Sequence, residues 1–236
     1  MNQVHVRAFE ALPGVWRSQL PKASEIAFLR EVHGLQAVLD LTRRPRPTVE
    51  RACHRLGVRY EKFPMEYDGH ALPAARFASS LPRPLLIHCF HGRDRTGRVM
   101  RALAAMEHGS VHLYRVGRNL NRAIRTMEAF GMRRLHLVEC DESFIKGNLF
   151  GAAGRVEVVR DAELPSGDDA LVLETGDYPP LSTVDLGRYR KIIIGGETSG
   201  TPPLKHLAHA TIPMAGKVSG LTVEAALAIA LYEWTR

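Results

Sequence analysis

Pro84-Leu85-Leu86-Ile87-His88-Cys89-Phe90-His91-Gly92-Arg93-Asp94-Arg95-Thr96-Gly97 is the stretch on which the first half of the chain turns. Residues 84–88 form a short apolar run that predicts a buried strand. The run feeds directly into a cysteine and a glycine-containing turn. A helix is expected from about Arg95 to Glu107, closed by Gly109. A phosphate held between such a strand and helix meets the backbone N–H groups of the turn and the positive end of the helix. The same field favours the thiolate form of Cys89. Arg95 lies six residues after Cys89, where the loop can bring its guanidinium back toward the sulfur. A planar fork suits two phosphate oxygens at once. Gly92 permits the tight turn, and Thr96 can hydrogen-bond the thiolate or assist the leaving step. The expected phosphate-binding residues are therefore Phe90, His91, Gly92, Arg93, Asp94 and Arg95. A buried cysteine beside a strand is the plainer reading; it leaves the turn, the helix and Arg95 unexplained.

Outward from this loop, strands alternate with helices. Val15-Trp16-Arg17 is a short extended piece. A helix follows through Leu29 with Ser24 as its expected N-cap, and Gly34 ends it. Residues 35–41 read as a buried strand, and Arg43 to Pro47 as a basic loop broken by prolines. Thr48 is expected to cap a helix to Leu56, which Gly57 stops. Val58 to Phe63 is a further strand, and Ala74 to Leu81 a further helix. The divide between two domains is expected at residues 109/110. In the second part, a helix is expected over Leu120 to Phe130. Strands are expected at Leu135 to Val138, Arg155 to Val159, Ala170 to Leu173, Lys191 to Ile194 and Ala210 to Ile212. An apolar helix closes the chain from Val223 to Glu233. This alternation predicts an α/β fold with a mostly parallel sheet in each part.

The segment His88 to Gly97 resembles the Cys-x5-Arg signature of the protein tyrosine and dual-specificity phosphatases, including the preceding histidine and the following Thr-Gly. Trp16 to Pro21 and Val38 to Leu41 are similar to the early strands of compact dual-specificity members. The resemblance covers about residues 13–108 and implies a phosphatase-like domain over 1–109, in which the usual helices after the signature are mostly missing. It implies in-line attack by Cys89, a phosphocysteine intermediate and hydrolysis, without a metal. The family uses an upstream aspartate as general acid, and Asp68 is the best match, with Glu66 next. Asp94 holds a position that some lipid-directed relatives use. His91-Gly92 also resembles the loop of cysteine-based RNA triphosphatases.

Asn119 to Gly131 resembles the first motif of the SpoU-type (SPOUT) RNA 2′-O-ribose methyltransferases, in which an arginine follows an asparagine by six residues. Ile194 to Gly200 is similar to the second motif. Ile212 to Val218 with Leu221-Thr222-Val223 is similar to the third. This resemblance covers about residues 111–236 and implies an α/β-knot domain, a trefoil knot, over 110–236. It implies S-adenosylmethionine held by Gly195, Gly196, Glu197, Gly200, Ile212, Met214, Leu221 and Thr222. Asn119 and Arg125 would face RNA, with Arg125 helping to activate a ribose 2′-hydroxyl. Pairing of two copies through the knot is also implied. The third motif departs from the family, with Gly220 and Thr222 where serine and asparagine usually stand.

The formal net charge of +7 on 236 residues agrees with an acidic partner such as RNA. Three cysteines are too few, and odd in number, for a disulfide framework, so a reducing cytoplasm is the expected setting. No apolar stretch is long enough to span a bilayer, and the first residues lack the apolar run of a signal peptide. His206 and His209 lack an acidic or thiol neighbour in sequence and read as surface histidines. Cys53 and Cys140 read as inert buried thiols. The combined expectation is an RNA-processing enzyme, a cysteine phosphatase joined to a methyltransferase acting on tRNA or rRNA. The alternative is a protein or small-molecule phosphatase whose degenerate knot serves for dimerisation or RNA docking. A methyltransferase whose first half only grips phosphate is the third reading.

Overall fold

The computed structural model describes residues 6–67, 69–145, 152–216 and 220–236. Asp68, together with Lys217 and Val218 of the third motif, lies outside the described residues. The chain divides into two compact units, one ending at Leu103 and the other running Ala104–Thr235, with Arg236 grouped with the first.

The first unit is built on a five-stranded sheet of order β1-β2-β5-β3-β4. Its strands are β1 (Ala8–Leu12), β2 (Val15–Ser18), β3 (Ala37–Asp40), β4 (Arg59–Lys62) and β5 (Leu85–His88). β1 pairs antiparallel with β2, and the other pairings are parallel. Helices α1 (Ala23–His33), α2 (Pro47–Arg55) and α3 (Leu72–Ser79) connect the parallel strands. β5 is central and buried along its length, as its apolar run requires. Ile26, Leu29, Val38, Val49, Cys53 and Leu86 form the core beneath α1 and α2.

Two helix starts differ from expectation. Lys22, not Ser24, precedes α1, because Glu25 reaches back and its Oε2 accepts the Lys22 N–H at 2.7 Å. Arg46 precedes α2, and Pro47 occupies its first position, where a missing N–H costs nothing. β1 is an addition, since its burial pattern offers the sequence no apolar alternation.

Helix α4 (Asp94–His108) follows the cysteine loop and continues across the division between the units. The second unit contains a six-stranded, all-parallel sheet of order β11-β9-β10-β6-β7-β8. Its strands are β6 (Ser110–Tyr114), β7 (Arg134–Val138), β8 (Glu157–Asp161), β9 (Ala170–Leu173), β10 (Lys191–Gly195) and β11 (Ala208–Ala210). Helices α5 (Leu120–Ala129) and α6 (Val223–Thr235) pack together against one face, where Leu120, Ile124, Leu227 and Trp234 join Leu113, Leu135 and Ile192. β6 was not expected as a strand, yet it sits in the middle of this sheet. Its alternating Ser110, His112 and Tyr114 put polar groups on one face, which hides it from a search for apolar runs. β11 ends at Ala210 rather than beginning there, and Thr211 instead bridges to Pro180.

Candidate functional site

In the first unit, three parallel strand ends meet. β2 ends at Ser18 and β3 at Asp40, and both residues stand opposite His88 in β5. Ligands of open parallel sheets bind outside such carboxyl ends. Cys89 leaves β5 there and turns through Gly92, which has φ +70°. A Cβ on Gly92 would lie 2.4 Å from the Gln19 nitrogen and 2.5 Å from the Ser18 carbonyl, so only glycine fits. The Leu20 N–H donates to the Phe90 carbonyl at 3.2 Å, and Arg17 Nη2 donates to the Gly92 carbonyl at 2.5 Å. The early strand thereby fixes the loop from behind.

The Gly92 N–H points at the Cys89 sulfur, 3.2 Å away. Burial alone would push the Cys89 thiol up. The Thr96 hydroxyl and the Thr96, Gly92 and His91 amides outweigh it and hold the thiol below its ordinary value. The Thr96 hydroxyl is fully buried, and no group other than the sulfur among the described residues takes its proton. Cys53 shows the contrast: burial pushes its thiol up to about 12. Cys140 is also pushed up, chiefly by burial. All three cysteines are free.

Arg95 Nη1 donates to the Leu41 carbonyl at 3.2 Å and the Met65 carbonyl at 3.3 Å. Its hydrogen bonds to described residues use that one nitrogen, which orients the guanidinium and leaves Nε and Nη2 for an anion. Cys89, Phe90, His91, Asp94 and Arg95 line a cavity of about 460 Å³ with Thr42, Arg43, Arg44, Arg46 and Tyr67. Of the expected phosphate-binding residues, Gly92 is buried and Arg93 exposed, and neither is part of this lining. The basic loop after β3 is held in place: Lys62 Nζ donates to the Arg44 carbonyl at 2.8 Å, and the Arg46 guanidinium lies 5.4 Å from the Phe90 ring centre. Glu66 is paired with Arg43 at 2.9 Å. Burial lowers the His88 imidazole to about 4 despite Asp40 at 3.8 Å, so it is neutral at pH 7. Sequence reasoning missed the part played by Arg17, whose only signal was its place in the Trp16–Pro21 segment.

In the second unit, a cavity of about 340 Å³ opens at the ends of β9 and β10. Gly195, Gly196, Glu197, Gly200, Ile212, Met214 and Leu221 line it, together with Glu174, Gly220 and Val223. The glycines are required by close backbone approach. A Cβ on Gly195 would fall 2.1 Å from the Gly200 carbonyl, and one on Gly196 2.4 Å from the Arg115 carbonyl oxygen. Glu174 Oε2 accepts from both the Thr201 N–H and its hydroxyl at 2.8 Å, a clasp that sequence reasoning missed. Glu197 Oε1 accepts from the Asn119 side chain and from the Val223 N–H at 3.1 Å, which joins the starts of α5 and α6. Arg125 stands on the exposed face of α5, and neither it nor Thr222 lines the cavity. The volume falls in the range of small-molecule pockets.

No protein-family model matches the chain, and no curated protein matches it. Solved structures similar to parts of it include phosphatases and RNA-modifying enzymes. One is the core catalytic domain of the PP-IP phosphatase SIW14 from S. cerevisiae in complex with citrate, 20% identical over 42% of this chain and 66% of that one, with a TM-score of 0.39. The A. aeolicus TrmH/SpoU tRNA modifying enzyme is 20% identical over 59% of this chain and 82% of that one, with a TM-score of 0.45. An AdoMet-bound rRNA methyltransferase from Sinorhizobium meliloti is 18% identical over 85% of this chain and 79% of that one, with a TM-score of 0.48.

Proposed function

We propose that the first unit is a cysteine-dependent phosphoric monoester hydrolase and that the second is a SpoU-type knot domain that binds S-adenosylmethionine and methylates a ribose 2′-hydroxyl of tRNA or rRNA. The observation that carries the first part is the Cys89 sulfur, held at 3.2 Å from the Gly92 N–H beside an oriented Arg95. Cys89 attacks phosphorus in line, Arg95 and the loop amides take the equatorial oxygens, and water then hydrolyses the phosphocysteine. Thr96 stabilises the departing thiolate. No metal takes part in this sequence. Of the three carboxyls considered as general acid, Asp94 lines the cavity and Glu66 is engaged by Arg43. Asp94→Asn compared with Asp68→Asn separates the two aspartates: the true acid loses the basic limb of the pH profile and regains rate on a substrate with a good leaving group. Turnover of para-nitrophenyl phosphate that persists in Cys89→Ser would sink the nucleophile.

The glycine-built cavity supports the cofactor assignment. When bound, S-adenosylmethionine supplies an electrophilic methyl group. Gly195, Gly196, Gly200 and Leu221 offer backbone and wall, Ile212 and Met214 an apolar side, and Glu197 ties the cavity to Asn119. Arg125 faces solvent, where an RNA ribose would approach. Calorimetry with S-adenosylmethionine and transfer of labelled methyl to tRNA test both steps. A second reading is favoured by Gly220 and Thr222, the latter outside the cavity lining: a knot that serves only for dimerisation or RNA docking. Cofactor binding without methyl transfer would select it. Ile229 and Tyr232, large apolar residues exposed on α6, are the expected pairing face, and a monomeric wild-type chain in light scattering would remove that part. A cytoplasmic setting goes with this reading. Among the described residues, no helix is long and apolar enough to cross a membrane.

A further inference from the structure

The face of the second sheet opposite α5 and α6 carries a cluster that neither proposed activity uses. His112 in β6 and His136 in β7 are register partners, and Asp161 ends the neighbouring strand β8 opposite Val138. The two imidazoles stack with ring centres 4.2 Å apart. His136 Nδ1 lies 2.6 Å from Asp161 Oδ2, and His112 Nδ1 lies 3.7 Å from the same oxygen. One ligand atom from each of the three residues falls within 4.8 Å of the others.

His112 is only 4% exposed, and its Nδ1 is buried without a hydrogen-bond partner among the described residues. Its other nitrogen, Nε2, is 3.0 Å from Ser110 Oγ. An Nε2–H donated to Ser110 puts the lone pair on Nδ1 and aims it into the cluster, the outer-shell arrangement that orients metal-ligating histidines. A buried acceptor with no donor is costly, and a cation removes the cost. Metal–ligand bonds of about 2.0–2.1 Å place tetrahedral ligands roughly 3.3 Å apart. The two histidine–aspartate distances, 2.6 and 3.7 Å, bracket that spacing, all three ligand atoms lie within 4.8 Å of one another, and the stacked rings turn about their side-chain bonds to aim both at one ion. Asp161 and His136 keep 29% and 19% of their side chains exposed, which leaves an entry path and room for a water as fourth ligand.

We propose that His112, His136 and Asp161 bind one divalent first-row transition metal ion, Zn²⁺ foremost, with Ser110 as the outer-shell partner of His112. Two imidazoles and one carboxylate suit zinc and related ions rather than calcium or magnesium. The ion would clip three adjacent strands at the β8 edge of the sheet.

The test uses the full chain carrying Cys89→Ser, which removes a competing thiolate. Titration with Zn²⁺, and with Co²⁺ read by its visible absorption, is expected to give one equivalent per chain. Asp161→Asn and His136→Gln, both partly exposed, should each weaken binding by about 100-fold or more, and Ser110→Ala by about tenfold. Melting of the parent, but not of Asp161→Asn, should drop on adding a chelator. Binding of Zn²⁺ by the parent no tighter than by the His136→Gln, Asp161→Asn double variant would overturn the proposal. Equal melting with and without chelator in a zinc-loaded parent would overturn the strand-clip role.

Discussion

The cysteine cavity and the glycine-lined cavity both open at the carboxyl ends of parallel strands, yet they are made of different material. The first brings the Cys89 and Arg95 side chains into one cavity lining, with Thr96 beside the sulfur, over a loop locked by Arg17 and Gly92. The second is mostly backbone and apolar wall, with Glu174 and Glu197 serving as clasps between segments. Side-chain chemistry concentrates function in a few replaceable atoms. A backbone site spreads it over residues whose only requirement is to be small. Single substitutions should therefore act very differently in the two units.

The largest effect is expected at the sulfur. Cys89→Ser should cut para-nitrophenyl phosphate turnover by about 10⁴-fold or more while leaving the melting temperature within a few degrees. Retained S-adenosylmethionine binding in that variant would keep the two units independent. Arg95→Lys keeps the charge and loses the planar fork, so a loss of about 10²–10³-fold is expected, with KM rising as kcat falls. In the backbone-built cavity, Gly195→Ala should abolish measurable cofactor heat, because the new Cβ collides with the Gly200 carbonyl. Phosphatase turnover should stay at the wild-type level, and a joint loss of both would break the comparison. Arg17→Met removes a contact behind the loop rather than in the cavity, so a fall of roughly tenfold is expected, with an unchanged number of titratable alkylation sites.

The smallest effects concern protons. Because Cys89 is held below its ordinary value and Cys53 is pushed up to about 12, iodoacetamide at neutral pH should label Cys89 and spare Cys53. Peptide mapping reads the difference. The neutral His88 has a folded value of about 4 against 6.5 when unfolded. Between those values the unfolded chain binds the proton first, so stability should decline as pH falls from about 6.5 towards 4. Urea melts at pH 7 and pH 5 check the sign.

The same contrast explains what was legible in the sequence. The cysteine loop could be read because each of its residues has a distinct chemistry at a fixed spacing, and a strand and helix on either side fix its context. The glycine cavity could be read only as a pattern of small residues, and its clasps could not. Glu174 meets Thr201 across 27 positions and Glu197 meets Val223 across 26, separations that no local pattern reports. β6 escaped notice because half of its side chains face a polar cluster. Those same polar residues, Ser110 and His112, acquire meaning only when parallel pairing sets His136 and Asp161 beside them. Asp94 is the intermediate case: its place in the loop was visible, and its position in the cavity lining distinguishes it from the Arg43-bound Glu66.

The packing of Gly92 against Ser18 and Gln19 carries a consequence for the order in which the molecule can be made. Every strand of the first sheet lies within residues 8–88, and the loop is closed once Thr96 follows it. A ribosome delivers the chain from the N-terminus, and domains fold as units during synthesis. The backing strand β2 is thus waiting when Cys89 emerges. The cysteine cradle can assemble before the last strand of the second sheet has been translated.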